Sequence, residues 1–403
     1  MSITQRTGID EQLLSAWQSQ SALIEAWFAE QESQLKRLPY GSVDLRFSGD
    51  KRVPVDTNLF PAGFNNLDPA AQVRAAASFL RHLRHCCPKS RKVLIVPENH
   101  TRNQGYLDNL VRLETLLMQA GYKVVIGRLD LVKGEHFDFA SSAGVTAKAV
   151  ALYREGSRLL AGEDAYDADV ILLNNDLTSG TPPLLEGLQQ PITPPLSLGW
   201  HRRRKSEHFA SYQRISRQFA DAFGVDAWRI SAEFEQCGRI NFAERNGLEC
   251  VALNVEKLLH RLREHYAAHG ITRDPYVFIK ADSGTYGMGI MTVRSGDDVM
   301  QMNKKTRNKM DVIKEGAHST DVIIQEGIPT LDEVDGAFAE PVIYLVDHQA
   351  VGAVWRVNAE RSDENNLNAT GMRFSALAGD IPIPMALIAR LAMLAAAAED
   401  YET

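Results

Sequence analysis

The densest chemistry in the chain lies in Val277-Phe-Ile-Lys280-Ala-Asp282-Ser283-Gly284-Thr-Tyr-Gly287-Met288-Gly289-Ile-Met-Thr-Val293. A lysine closes one strand-like run, three glycines follow, and a second strand-like run comes next. Bare glycine backbone can close N–H groups over phosphate oxygens, and a lysine ammonium supplies the matching cation. A Walker loop is excluded, because there the lysine follows the glycines and a helix comes next. A dinucleotide fingerprint fails for the same lack of a helix. A solvated lysine beside a flexible hairpin would share the pattern, but three glycines give more freedom than a simple turn requires, at an entropic cost. The run reads as a phosphate-binding hairpin.

Two further clusters follow it. Val322-Ile-Ile-Gln325-Glu326-Gly327 is an apolar strand ending in polar groups; an apolar slot suits adenine and a carboxylate suits ribose hydroxyls. Solvated strand ends look alike, so its meaning comes from its position after the glycine hairpin. Arg356 then precedes a loop with Glu364, Asn366 and Asn368. Those are hard oxygen donors of the kind Mg²⁺ takes alongside phosphate oxygens, and Arg356 could balance charge on a transferring phosphoryl group. Composition alone would make this a polar surface loop.

In the first half, Glu98, Asn99 and Arg102 follow one apolar strand, and Asn174 and Asn175 follow another. Ligands of open α/β sheets bind at such strand ends, and turn formation by Asn is the equal alternative. His201-Arg202-Arg203-Arg204-Lys205 is either an anion site or a solvated helix start. The cysteines at 86, 87, 237 and 250 lack metal-site or redox spacing and read as packing residues.

The elements that must position these groups change character along the chain. A long amphipathic helix is expected over 9–38, and an irregular Asn-, Pro- and Gly-rich loop over 46–67. From Asp68 onward, helices alternate with strands at 92–97, 123–127 and 169–173. Those strands are apolar throughout, which indicates a parallel sheet covered on both faces. Prolines at 182, 183, 191, 194 and 195 mark the main boundary. Beyond it, helices at 206–223 and 253–269 precede strands at 276–280, 290–293, 322–325, 342–346 and 350–357, an α+β order. The apolar C-terminal stretch is suited to core or to an interface between copies.

Length, 403 residues, implies two or three domains. A formal charge of -7 argues against nucleic acid or an anionic membrane surface as partner. No apolar run is free enough of Pro and charge to span a membrane, and acidic residues interrupt the start where a signal peptide would lie. A cytoplasmic, reducing setting is expected.

Taken together, Asn254-Val-Glu-Lys257-Leu, the Lys280 hairpin, Gln325-Glu326, Glu340-Pro-Val-Ile-Tyr-Leu-Val-Asp347, Arg356 and Asn366-Leu-Asn368 resemble the ATP-grasp superfamily, in the order of the nucleotide half of glutathione synthetase. FIKADSGTYGMGIMTV, PVDTNLFPAGFNNL, IVPENHTRNQGY and GWHRRRKSEHF look more closely like the proteobacterial ATP-grasp-type glutamate–cysteine ligases, over essentially the whole chain. The resemblance implies an α/β substrate-side domain over 1–195, with an open parallel sheet, and an ATP-grasp domain over 196–403 with a glycine-rich lid. It implies ATP and Mg²⁺, with glutamate and cysteine as substrates and γ-glutamylcysteine, ADP and phosphate as products. Lys257, Lys280, Ser283, Gly284, Gly287, Met288 and Gly289 would then meet the phosphates or close over them. Gln325 and Glu326 would hold adenosine, Glu364, Asn366, Asn368 and Glu340 would hold the metal, and Arg356 would stabilise the transferring phosphoryl. The family's late-strand Glu-x-Asn is matched here only inside the 364–368 loop. Another amino-acid or peptide ligase of the same fold, or a non-catalytic nucleotide-binding protein, would share the nucleotide half.

Overall fold

The computed structural model describes residues 8–99, 102–284, 290–311 and 320–399. Helix α1 (Gly8–Ser33) turns Ile9, Leu13, Ile24 and Phe28 inward. Strands β1 (Tyr40–Phe47) and β2 (Arg52–Asn58) follow; the irregular loop expected over 46–67 takes in β2 and the last two residues of β1, and no element is expected over 40–45. Their alternation is masked because polar Asp44, Arg46 and Asp56 sit inside the molecule. Pro54 reads as a breaker, yet it lies where the β1–β2 register shifts past Val55, and a bulge tolerates proline.

Helix α2 (Pro69–Cys86) starts where Asp68 accepts from the Ala71 N–H at 2.7 Å, as a carboxylate N-cap should. Then come β3 (Lys92–Pro97), α3 (Gln104–Gln119), β4 (Lys123–Arg128), β5 (His136–Ala140), β6 (Thr146–Glu155), β7 (Arg158–Ala161), β8 (Tyr166–Asp167), β9 (Val170–Asn174) and β10 (Ile192–Thr193). These form one sheet in the order β10-β9-β3-β4-β6-β7-β8, with β5 on β6. Its centre is parallel, and β5, β7 and β8 pair antiparallel. The expected parallel core is therefore present, with an antiparallel extension that sequence reading missed because β5 and much of β6 face solvent.

Next along the chain are α4 (Lys205–Phe223), β11 (Phe234–Cys237), α5 (Leu248–Ala268), β12 (Val277–Ala281), β13 (Met291–Val293), α6 (Gly296–Met300), α7 (Lys304–Asp311) and β14 (Val322–Glu326). Strands β11-β14-β12-β13 make an antiparallel sheet, and α5 buries Val251, Val255, Leu258, Leu259 and Leu262 in the core it shares with that sheet.

The last elements are β15 (Glu333–Val334), β16 (Ala337–Val346), β17 (Gln349–Val357), β18 (Arg373–Ala376) and α8 (Ile383–Ala397). Strands β18-β17-β16-β1-β2 form a third, antiparallel sheet, with β15 on β16. Helix α8 is buried on almost every face, so it is core. The strands of this sheet lie on both sides of the division expected at 195/196, since residues 40–44 pair with 342–346 from the far end of the chain. Among the described residues, no helix is long and apolar enough to cross a membrane.

Candidate active site between two antiparallel sheets

The β1–β2 and β16–β17 sheet and the β12–β14 sheet face one another across a cavity. Strand periodicity decides what points into it. Asp44 and Arg46 lie two apart on β1, and Phe278 and Lys280 two apart on β12, so each pair shares a face. Val55 and Asp56 come from β2, Gln325 and Glu326 from β14, Glu340 from β16 and Arg356 from β17. Lys205 enters from the start of α4, Ser283 and Gly284 from the end of β12, and Asn366 and Asn368 from the loop after β17.

The charges are arranged in linked pairs. Arg46 Nε donates to Glu340 at 2.8 Å and Arg356 Nη1 to the other Glu340 oxygen at 2.6 Å. Arg356 also donates to Asp44, at 2.5 Å. Lys205 Nζ donates to Asp56 at 2.9 Å, and Lys280 Nζ to Gln325 Oε1 at 2.7 Å. Burial pushes the Lys280 ammonium down to about 8, against the pull of Asp56. Burial pushes Asp44 up to about 6 despite Arg356. At Asp56 burial acts the same way, but Lys205 and Lys280 outweigh it and hold the carboxyl at about 2. At Glu340 burial is likewise outweighed, by Arg46 and Arg356, and the carboxyl is held below its usual range.

Two buried donors in the cavity wall, Arg356 Nε and Gln325 Nε2, have no hydrogen-bond partner among the described residues. A buried donor left so costs free energy until an acceptor arrives. Together with four cationic side chains, this wall fits a ligand rich in acceptor oxygens. Among the described residues no group of three or more His, Cys, Asp or Glu is disposed to hold a metal ion. A divalent ion here would have to draw several ligands from a bound phosphate, as Mg²⁺ ordinarily does.

The supporting contacts are specific. Arg46 Nη2 donates to the Asn365 carbonyl at 2.6 Å and Nη1 to the Ile328 carbonyl at 3.0 Å, pinning the Asn366–Asn368 loop to β1. Buried Asn358 donates to the Leu367 and Thr370 carbonyls and closes that loop. Asp282, just past Lys280, accepts from Ser206 N–H and Oγ at 2.8 and 2.7 Å, fixing the hairpin base to α4.

Of the residues singled out from sequence, Lys280, Ser283, Gly284, Gln325, Glu326, Glu340, Arg356, Asn366 and Asn368 line this one cavity. Gly287, Met288 and Gly289 lie outside the described residues. Glu326 borders the cavity, but its carboxylate accepts from buried Lys51 at 2.6 Å and from the Glu233 N–H at 3.0 Å, so it is engaged on the interior side. Lys257 is elsewhere, on the exposed side of α5 and paired with Glu235 at 3.2 Å. Glu364 pairs with Arg294 and lines a neighbouring pocket. Both Glu340 oxygens serve guanidinium groups, which argues against it as a free metal ligand.

The first-half candidates separate in the same way. Glu98, Asn99 and Asn175 line a distinct groove with Asp130 and Asp176, at the carboxyl ends of β3, β4 and β9. Arg102 and Arg202 are exposed. Asn174 is a correction: it is buried and bonded to Tyr106, Asn109, Tyr40 and the Pro61 carbonyl, so it serves the core. Arg203 is another, fully buried against Glu399 at 2.8 Å. Sequence reading missed Asp44, Arg46 and Asp56, whereas Lys205, the last residue of the basic run read as a possible anion site, does reach the cavity. The charged pair two apart on β1, Asp44 and Arg46, was the available signal, split by the start of the expected loop at 46.

A family model described as "GshA: Glutamate-cysteine ligase" matches residues 15–400. No curated protein matches the chain. A crystal structure from Methylobacillus flagellatus KT, provisionally assigned as a gamma-glutamylcysteine synthetase, superposes with a TM-score of 0.91 and 39% identity. It covers 99% of this chain and 98% of its own. The D-alanyl-alanine synthetase A of Vibrio cholerae O1 biovar eltor aligns over 64% of this chain and 68% of its own, at 12% identity and a TM-score of 0.28, too low to carry an argument.

Proposed function

The chain belongs to the glutamate–cysteine ligase family, and on that premise we propose that the cavity between the two antiparallel sheets is where ATP and the two amino acids react. The reaction is the ATP-dependent joining of glutamate to cysteine, the first step of glutathione biosynthesis. We infer an ATP-grasp architecture for the half of the molecule that holds the cavity.

A free carboxylate does not acylate an amine at neutral pH, because its leaving group is too poor. Transfer of the terminal phosphoryl of ATP to the γ-carboxylate of glutamate supplies a good one. The cysteine amine then attacks the acyl carbon and phosphate departs. Such a sequence asks little covalent work of the protein and much positioning and charge balance. Lys280 and Lys205 stand where they can pair with phosphate oxygens. Arg356 Nε, unpartnered among the described residues, can donate to a transferring phosphoryl group, with Nη1 fixed by both Asp44 and Glu340. Gln325 Nε2 can meet an acceptor on the base or ribose, while Val55, Phe278 and Ile290 offer an apolar wall to a purine.

Mg²⁺, when bound, supplies further neutralisation between the phosphates. Asn366 and Asn368 are the protein groups best placed to share it with phosphate oxygens, and Glu364 becomes available only by releasing Arg294. The observation that carries this reading is the convergence of Lys280, Gln325, Arg356 and Asn368, from four separate segments, on one cavity with two buried donors unpaired among the described residues.

The test follows phosphate release from Mg-ATP with glutamate alone, cysteine alone, and both. Release that requires both, with γ-glutamylcysteine formed, is expected. Equal release with either amino acid alone, or AMP in place of ADP, would defeat the reading.

A further inference from the structure

We propose that Cys237 and Cys250 form a reversible disulfide by exchange with a small-molecule disulfide, making this pair a redox modification site. Cys237 ends β11, the edge strand of the β11-β14-β12-β13 sheet, and Cys250 lies in the first turn of α5, the helix packed on that sheet. Thirteen residues separate them in sequence, yet their sulfurs are 3.5 Å apart. A disulfide bond is about 2.05 Å long, so closure requires a movement of roughly 1.5 Å. The fold has already brought the two ends of the loop together, and little chain entropy remains to be lost on cross-linking.

Asn254, one helical turn beyond Cys250, donates Nδ2 to Cys237 Sγ at 2.9 Å and lies 3.8 Å from Cys250 Sγ. A donor aimed at sulfur favours its anionic form, and the thiolate is the nucleophile in exchange. A purely apolar packing role for the two cysteines would leave this amide without purpose.

Access sets the order of events. Cys250 is exposed and Cys237 is buried. The Cys250 thiolate attacks one sulfur of an incoming RSSR, the S–S bond breaks, and the first thiolate leaves. The Cys237 sulfur then attacks Cys250 Sγ in the mixed disulfide and expels the second. The cysteine pair loses two electrons, RSSR is reduced to two RSH, and the two protons released by the cysteines end on those thiols. Burial pushes the Cys237 thiol up to about 11, offset in part by Asn254. That suits it to the second step, where contact with its partner replaces a large thiolate population.

The test uses the full-length C86S/C87S protein, reduced and then exposed to glutathione disulfide. It is expected to lose both thiols and about 2 Da, retain no glutathione, and yield a peptide joining residues 237 and 250; dithiothreitol then restores both thiols. C250S in the same background should keep the Cys237 thiol. The unsubstituted chain, mapped identically, should show the same 237–250 link if the double substitution compromises folding. Survival of both thiols, stable glutathione adducts in place of the link, or ready modification of Cys237 in C250S would each overturn the proposal.

Discussion

Lys280 is held at the cavity as a cation of reduced basicity, with Gln325 Oε1 as its near partner and Asp56 as the strongest opposing charge. If it pairs with ATP phosphates, K280A should abolish ATP turnover while leaving the circular dichroism spectrum and melting transition close to those of the parent. The charge should also be visible in pH dependence. The ammonium is lost as pH rises through about 8, so kcat/KM for ATP should fall about tenfold per pH unit above that point. K280R, which stays protonated, should move the falling limb upward. A profile unchanged by the substitution would detach Lys280 from the nucleotide. At this scale the sequence disclosed the groups sitting beside glycine, at strand ends or in a polar loop. It concealed Asp44, Arg46 and Asp56, because charged residues directed into an interior cavity look locally like loop.

Among elements, helices were the more legible, since α2 and α3 carry side-chain N-caps and α2 to α5 carry apolar stripes within their own sequence. Strands β5 to β8 were not, because a strand half in solvent offers few apolar residues and owes its pairing to distant partners. The basic run at 201–205 shows the same limit. Its central Arg203 bonds Glu399, just past α8, and Glu399 also lies 2.6 Å from His208 Nδ1, so α8 and α4 are clasped by one buried carboxylate. E399A would strand Arg203 and His208, at a cost of about 3–5 kcal/mol by urea denaturation. A milder cost would mean that water replaces the carboxylate. Where α2 crosses β17, a Cβ on Gly352 would lie 2.5 Å from Ala71 Cβ, so G352A should lower the melting temperature by separating those two elements.

The turn between β16 and β17 adds a pH response. There His348 Nε2 accepts the Leu38 N–H at 3.2 Å, which requires the neutral ring. Burial pushes this imidazole down to about 4, against the pull of Asp347. The unfolded chain binds the proton from about pH 6.5 downward and the folded chain only near pH 4. Stability should therefore be full above pH 6.5 and fall by something on the order of 3 kcal/mol between pH 6.5 and 4. Urea midpoints for the parent and H348Q test this: the variant should lose much of that slope, and an equal slope would assign the acid sensitivity to other groups.

For the whole molecule, the parallel sheet and the antiparallel half were readable from composition and periodicity. The pairing of the first strands with the last was not, since nothing local in Tyr40–Phe47 names a partner almost three hundred residues away. That pairing governs how the protein can be made. At about 5–20 residues per second, roughly 15–60 s pass between synthesis of Asp44 and of Val342 opposite it, and throughout that time β1 has one edge without its strand. Nascent chains shorter than about 376 residues cannot complete the sheet that carries Arg356 and Glu340. A chain ended at residue 330 should accordingly give no ATP-dependent protection against melting, and its amides over 40–58 should exchange quickly. On the ribosome, the half-built cavity is an open strand edge, and shielding it until the C-terminal hairpin emerges is the task this topology hands to the cell's chaperones.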